Sequence, residues 1–556
     1  LVRYAALTHP TESATKRTFF ARKFLNRLFR NVFKRWQDSD VTKRVGFGVG
    51  LGLIWLFSLV LRFWGLGRFN HMVFDEVYFV RFGHHYLTQT PFFDNHPPLG
   101  KYLIGFGIWL GQNFSGSYPA HTWVDEIQLS TLNYRWLNAW VGSFVPLLVA
   151  AIAYQLTHRR TYTLIASLLV ATDGLLLVES RYGLINIYLV SLGLGGHWLF
   201  LIALKQGQER ERLRWLLLSG FFLGTTIAVK WNGLGFLLGI YGLWLIAQVR
   251  SWGQQFLVTL KQTPFATPFG ASLFPQVLRR LPYPLHASQH PEPELFQQLR
   301  QLHWSDLAFE LGLWPLLIYR LVWIPHLVLN PNFDFWQSQA QSLNSHAHVV
   351  GNDIHPYCSQ WYSWPLLLRP VAYWYERQEF DTTGLTSGAN TAGTWIYDVH
   401  ALGNPVLWWL SSMAILTVLL TWGHWLRSQM WRLGQVLKGQ SRYSVSIQPI
   451  QYQISPSHQG VLIYLTVNYL ANWLPWVGVS RCLFLYHYMA ASIFSFLTLA
   501  WLVDQWLHQD DLRWHFWAWG VMVGTMVALA YWLPIYLGLP LTPEALNQRM
   551  WLPSWP

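Results

Sequence analysis

Charge is scarce in this chain. Only 12% of its 556 residues are Asp, Glu, Lys or Arg, about half of the ~25% found in soluble domains. Too few charged side chains are present to clothe a soluble surface. Cysteine is nearly absent too. Cys358 and Cys482 stand alone, which rules out a disulfide framework and a CxxC metal site. Two free thiols are expected rather than a bridge between them. Internal repeats and low-complexity tracts are missing, so no pair of related halves points to a transporter. Acidic residues are outnumbered, with 26 Asp and Glu against 39 Lys and Arg. The basic residues lie beside apolar stretches, where the positive-inside rule puts them, so no nucleic-acid partner is expected.

What the chain has instead is apolar length. It is 52% hydrophobic, with 35 Trp, and several stretches approach the roughly 20 residues that span hydrocarbon. Spans are expected over 46–66, 134–156, 162–180, 184–204, 214–230, 231–249, 307–329, 403–424, 459–477, 482–503 and 514–537. The fold class is therefore an all-α polytopic membrane protein with about eleven transmembrane helices. A further stretch, 97–112, opens with Pro97-Pro98 and carries Lys101. Counting it as a span would move the basic loops outside, so it is read as a helix lying at the outer interface.

Charge then sets the sides. Residues 1–44 hold eleven Lys and Arg against three acids. Phe20, Phe24, Leu28, Val32 and Trp36 recur there every fourth residue, as in a basic amphipathic helix on the anionic cytoplasmic leaflet. The parts are a cytoplasmic segment 1–45, an N-terminal transmembrane module 46–330, a large external loop 331–402, and a C-terminal four-span region 403–556. The N-terminal module has a first external loop, 67–133, and a cytoplasmic insertion, 250–306. Loop 504–513 dissents, with three Asp and one Arg on the inner side, but acids weigh little in this rule.

The external segments hold most of the acids. Asp75-Glu76 follows the first span. One carboxylate there can take a proton from an attacking hydroxyl while its neighbour orients an acceptor or binds a cation. A solvated loop pair is the plain alternative. His96 and Lys101 return to the surface after the Pro-Pro turn, although a lysine beside a span often only snorkels. Glu179, Arg181 and Lys230 end separate spans on the same face. Asp173 and Arg320 lie within spans, where charges face a cavity or one another; a structural Asp173–Arg320 pair is one reading. Cations gathered there suit a lipid-linked phosphate, and carboxylates suit deprotonation of a hydroxyl. Transfer of a group from a lipid phosphate to an acceptor outside the cytoplasm is expected. No His/Cys spacing suggests zinc. The carboxylate pair could recruit Mg²⁺ or Mn²⁺, but a bare base works without either, so no cofactor is assigned.

Five ordered segments resemble the protein O-mannosyltransferase family, of the glycosyltransferase-C type. Phe74-Asp75-Glu76-Val77 with Phe93-Asp94-Asn95-His96-Pro97-Pro98-Leu99-Gly100-Lys101 is similar to the family's first external loop. Ser180-Arg181 and Val229-Lys230-Trp231 are similar to two further motifs. His355-Pro356-Tyr357, Ser363-Trp364 and Leu368-Arg369-Pro370-Val371 resemble the large loop of bacterial members. Leu402-Gly403-Asn404-Pro405-Val406-Leu407-Trp408-Trp409 and Phe484-Leu485-Tyr486-His487-Tyr488 resemble the C-terminal four-span region.

The resemblance implies a polyprenyl-phosphate-mannose donor, a secreted or membrane protein as acceptor through Ser or Thr, inversion at the sugar, and a cell-membrane location. It implies Asp75 as general base and Glu76 as the group that orients the acceptor or the base. Arg181 and Lys230, with Lys101, would hold the donor phosphate. His96, Arg369, His487 and Arg320 are further site candidates. Three departures stand out. Asn186 replaces an Asp frequent in the family, loop 330–402 is too short for the β-trefoil of eukaryotic members, and the 250–306 insertion is long. Two other classes, a glycolipid-directed sugar transferase and a transporter, match the sequence less well. Relatives that move aminoarabinose to lipid A usually have Lys before Pro-Pro, where this chain has His96. A transporter needs charges strung through the bilayer, and here they gather at one face.

Overall fold

A computed structural model of the chain describes residues 40–114, 121–262, 293–348, 355–381, 392–437 and 456–555. The expected amphipathic helix around Phe20–Trp36 and residues 263–292 of the insertion lie outside the described residues. The chain divides into two units, Leu1–Leu53 and Ile54–Pro556. The described part of the first is helical from Asp40.

Among the described residues, nine helices are long and apolar enough to cross a membrane. They are Arg44–Phe63, Thr131–Thr157, Asn186–Leu204, Glu209–Val229, Trp231–Trp252, Trp304–Leu329, Pro405–Ser428, Leu485–Leu507 and Leu512–Leu537. Each matches one expected span. The other two expected spans differ. Pro456–Trp473 is an 18-residue helix outside that group of nine. Segment 162–180 breaks into Arg160–Ala171 and Gly174–Glu179.

Asp173 causes that break. Its backbone leaves the helix at ψ 126°, and its Oδ1 accepts the Leu176 N–H at 2.9 Å, so it caps a new helix start. Its Oδ2 accepts from Asn404 N at 3.2 Å and Trp408 Nε1 at 2.6 Å. The Gly403-Asn404-Pro405 turn is thereby docked on the N-terminal module. The Asp173–Arg320 pair is not formed. Arg320 is exposed, its guanidinium 4.5 Å from the Phe335 ring centroid.

Leu99–Phe114, which covers the doubtful stretch 97–112, has sixteen residues and is not among the nine. It packs on Glu76–Thr88 where Gly83 and Gly105 meet. A Cβ on Gly105 would lie 2.7 Å from the Gly83 carbonyl oxygen, so only glycine permits this approach. The buried acid in the dissenting loop also finds a partner. Asp504 pairs with Arg159 at 3.1 Å and accepts from Thr161, which joins the 504–513 and 157–160 loops.

Two small antiparallel sheets supplement the helices. His121–Val124 pairs with Ile127–Ser130 in the first loop. Val371–Asp381, Ala392–Ala401 and Pro540–Leu541 form the second. The expectation of free thiols is corrected: Cys358 and Cys482 are bonded, 124 residues apart in sequence and 5.2 Å between Cα atoms. Folding the second loop against the 481–488 segment brings them together; Ser359 N donates to Leu483 O at 2.7 Å beside the bond.

Candidate active site

Asp75 is set by its neighbours on both sides. Phe74 has φ of 54°, a conformation unusual for a bulky residue and frequent at functional sites. Its ring lies flat on Tyr373 at 4.2 Å and meets Tyr486 at 6.2 Å. Tyr373 reaches it from a β-bulge, where the register shifts between Ala372 and Trp374; bulges re-aim side chains in this way. Glu76 follows as the first residue of the helix to Thr88.

The two carboxylates have opposite fates. Glu76 is fully buried. Arg135 Nε and Nη2 bind its two oxygens at 2.9 and 2.7 Å. Gly183 N and Val73 N donate to them at 2.7 and 2.8 Å. Glu76 therefore cannot orient the acceptor directly; it locks the start of the helix on which Asp75 sits. Asp75 is half-buried, makes no side-chain cap bond, and its carboxylate has no hydrogen-bond partner among the described residues. Burial pushes its carboxyl up to about 6; Lys230 pulls it down and Asp94 pushes it further up. A base poised near neutrality suits proton abstraction from a hydroxyl.

Lys230, whose charge acts on the Asp75 carboxyl, stands in extended backbone between two helices. Its ammonium donates to Asn186 Oδ1 at 3.3 Å and stands 5.1 Å from the Tyr486 ring centroid. Asn186 Nδ2 donates to both oxygens of Glu179, at 3.3 and 3.2 Å, and Tyr373 donates its hydroxyl to the same carboxylate. An amide at 186 can serve a cation and a carboxylate at once. This gives a physical use for the departure from the expected Asp.

Other expected donor-site residues are engaged elsewhere. Arg181 is buried and directs Nη1 to the carbonyls of Leu61, Arg62 and Trp64 at 2.9, 3.0 and 2.8 Å. It caps the first span's C-terminus, whose carbonyls have no helical partner. Lys101 is buried, ion-paired with Asp94, and donates to His96 O at 2.6 Å. His96 lies beside Phe79, with ring centroids 6.1 Å apart. Arg369 donates to Pro356 O and, at 3.5 Å, to Ser554 O. His487 is buried, stacked on Trp364 and 4.7 Å from Tyr486. The geometry thus brings Asp75 and Lys230 together and gives Arg181, Lys101, Arg369 and Arg320 other partners.

Arg135 and Tyr373 escaped the sequence reading as site-building residues. The aromatic, β-branched run Val371-Ala372-Tyr373-Trp374-Tyr375 was a strand signal that could have found Tyr373. Arg135, within a span, offered none beyond the rarity of such charges. Glu76, Asp94 and Glu179 are engaged by Arg135, Lys101 and Tyr373, and no group of three or more candidate ligands occurs among the described residues.

The comparisons with known proteins agree with this architecture. A family model described as dolichyl-phosphate-mannose-protein mannosyltransferase matches residues 52–289. A second, the C-terminal four TMM region of protein-O-mannosyltransferase, matches residues 332–555. The polyprenol-phosphate-mannose–protein mannosyltransferase of Mycolicibacterium smegmatis is 23% identical, over 90% of this chain and 92% of its own. That of Mycobacterium tuberculosis is 25% identical, over 91% of each. In fold, the chain is similar to the S. cerevisiae protein O-mannosyltransferase Pmt1-Pmt2 complex bound to the sugar donor. The TM-score is 0.64 at 15% identity, covering 92% of this chain and 93% of the other. The fold is that of glycosyltransferase-C membrane enzymes, and the chain belongs to the protein O-mannosyltransferase family.

Proposed function

We propose that this chain transfers mannose, with inversion, from a polyprenyl phosphate to Ser or Thr hydroxyls of exported proteins at the outer face of the cell membrane. The observation that carries the reading is the unpartnered Asp75 carboxylate opposite Lys230, with burial pushing that carboxyl up to about 6. Asp75 takes the proton of the acceptor hydroxyl. The hydroxyl oxygen bonds to the anomeric carbon from the face opposite the phosphate. The bond from carbon to phosphate oxygen breaks, and its electron pair leaves with the phosphate. Negative charge grows on that phosphate, where a fixed Lys230 cation stabilises the transition state more than the ground state.

The Cys358–Cys482 bond supports the placement of the large loop and the 481–488 segment on the external side, since disulfides persist in oxidising compartments. Leu99–Phe114 then lies at the outer interface, and the acceptor is selected by the loop itself. Every step uses groups of this chain, so transfer is expected to survive chelation of divalent cations.

The test uses purified protein, polyprenyl-phosphate [¹⁴C]mannose and a Ser/Thr-rich peptide, with Asp75→Asn in parallel. Label on the peptide from the wild type alone supports the reaction and the base. Label on neither, from folded protein, overturns the reading in favour of another sugar or a glycolipid acceptor. Label from both removes Asp75 from its role.

A further inference from the structure

Arg481 is half-buried, and its guanidinium has no hydrogen bond or ion pair among the described residues. Its charge nevertheless acts on Lys230, and it precedes the segment whose aromatic rings form one wall of the site. Tyr486 touches Phe74 at 6.2 Å and stands 5.1 Å from the Lys230 ammonium; Phe484 meets Phe74 at 6.4 Å. A guanidinium left unpaired beside a second cation is costly unless an anion joins them.

The backbone around Arg481 is fixed from the large loop. Cys482, the next residue, is bonded to Cys358. Leu483 O accepts from Ser359 N at 2.7 Å and Ser359 Oγ at 3.3 Å. Trp364, fully buried, donates Nε1 to that hydroxyl at 2.8 Å. These ties hold residues 482 and 483, while the Arg481 guanidinium itself makes no hydrogen bond or ion pair among the described residues.

We propose that the Cys358–Cys482 disulfide is a positioning device for Arg481, aiming its guanidinium into the site as the second cation, with Lys230, for the phosphate of the lipid donor. The proposal rests on the transfer reading above. It replaces Arg181 and Lys101, both engaged elsewhere, with a cation that is free. It also makes the large loop part of donor binding through a covalent link, in addition to any part in choosing the acceptor.

The experiment is a double-mutant cycle on donor and acceptor kinetics. The variants are Cys358→Ala/Cys482→Ala, Arg481→Gln, and all three changes together. Removing the disulfide is expected to lower kcat/KM for the donor about tenfold, through a higher donor KM and a lower kcat, with acceptor KM held within about twofold. Arg481→Gln should do the same, and the triple variant should be no worse than Arg481→Gln alone, because both changes remove one contact. An unchanged kcat/KM for the donor overturns the proposal. So does a parallel fall of kcat and melting temperature that adds in full to Arg481→Gln, because the bond then only staples the fold. Folded wild type treated with excess dithiothreitol covers the case of a variant that does not fold. The dithiol gives two electrons and two protons to the bond and becomes a cyclic disulfide; the same fall in kcat/KM for the donor is expected. An inactive wild type would refute the transfer reading; an active one with unaltered variants refutes this inference alone.

Discussion

Arg135 grips Glu76 through both carboxylate oxygens, at 2.9 and 2.7 Å, with neither side chain exposed. The adjacent Asp75 has no such partner. Of two adjacent acids in one motif, one thus holds the loop and the other keeps an unpartnered carboxylate among the described residues. Removing one member of a buried ion pair strands the other and costs about 3–5 kcal/mol. Glu76→Gln and Arg135→Leu should therefore lower the melting temperature in detergent together with activity. Asp75→Asn should keep the melting temperature and lower kcat by about 10²–10⁴-fold. A Glu76→Gln protein that melts like wild type yet fails in transfer would return Glu76 to a direct role.

The pH dependence follows from Asp75. Its carboxyl is pushed from 3.8 up to about 6 in the folded protein. As a base it works ionised, so kcat/KM should rise with pH through about 6. Stability runs the other way. A carboxyl raised by folding favours its protonated form, and that contribution is present at low pH and lost as pH rises through the folded value. Asp75→Asn should not lose stability at pH 7 for this reason. Lys230→Gln should move the activity limb upward, because Lys230 pulls the Asp75 value down. A profile flat from about pH 5 to about pH 7, one unit either side of the Asp75 value of about 6, would contradict the assignment.

Arg181 gives a sharper contrast between motif and geometry. Its Nη1 group satisfies three carbonyls at the end of the first span. Arg181→Gln should destabilise the protein by about 3 kcal/mol, as expected for buried acceptors left unmet. The donor KM of the folded fraction should stay near wild type. A large rise in donor KM without a change in melting temperature would restore its phosphate role.

The sequence made the apolar spans legible because their length is itself the signal. It also made Asp75 and Lys230 legible, because both follow spans and carry the family pattern. The break at Asp173 was hidden in an apolar run, since a cap is set by the turn that docks there, here the one containing Asn404 and Trp408. Arg181 and Lys101 have the right charge for a phosphate. Their partners, the carbonyls of residues 61–64 and the Asp94 carboxylate, come from packing that no local pattern reports. The disulfide joins residues 124 positions apart, with no spacing rule to announce it.

Membrane sidedness can be read with a labelling reagent that does not cross the bilayer. Arg159 and Asp504 are 3.1 Å apart, so the loops carrying them share one face. The positive-inside rule predicts that this face is cytoplasmic. Gln509 and Thr90 are exposed, in loops assigned to opposite faces. Both native cysteines are bonded, so an introduced thiol supplies the signal. Thr90→Cys should react with an impermeant maleimide in intact spheroplasts, and Gln509→Cys only after permeabilisation. The reverse pattern would invert the whole arrangement and place Asp75 on the cytoplasmic side. Labelling of both in intact spheroplasts would mean that the parity between these two loops is wrong. The lapse would then lie in Leu99–Phe114, which would cross the membrane, because the Arg159–Asp504 pair already requires an even number of crossings between its two loops.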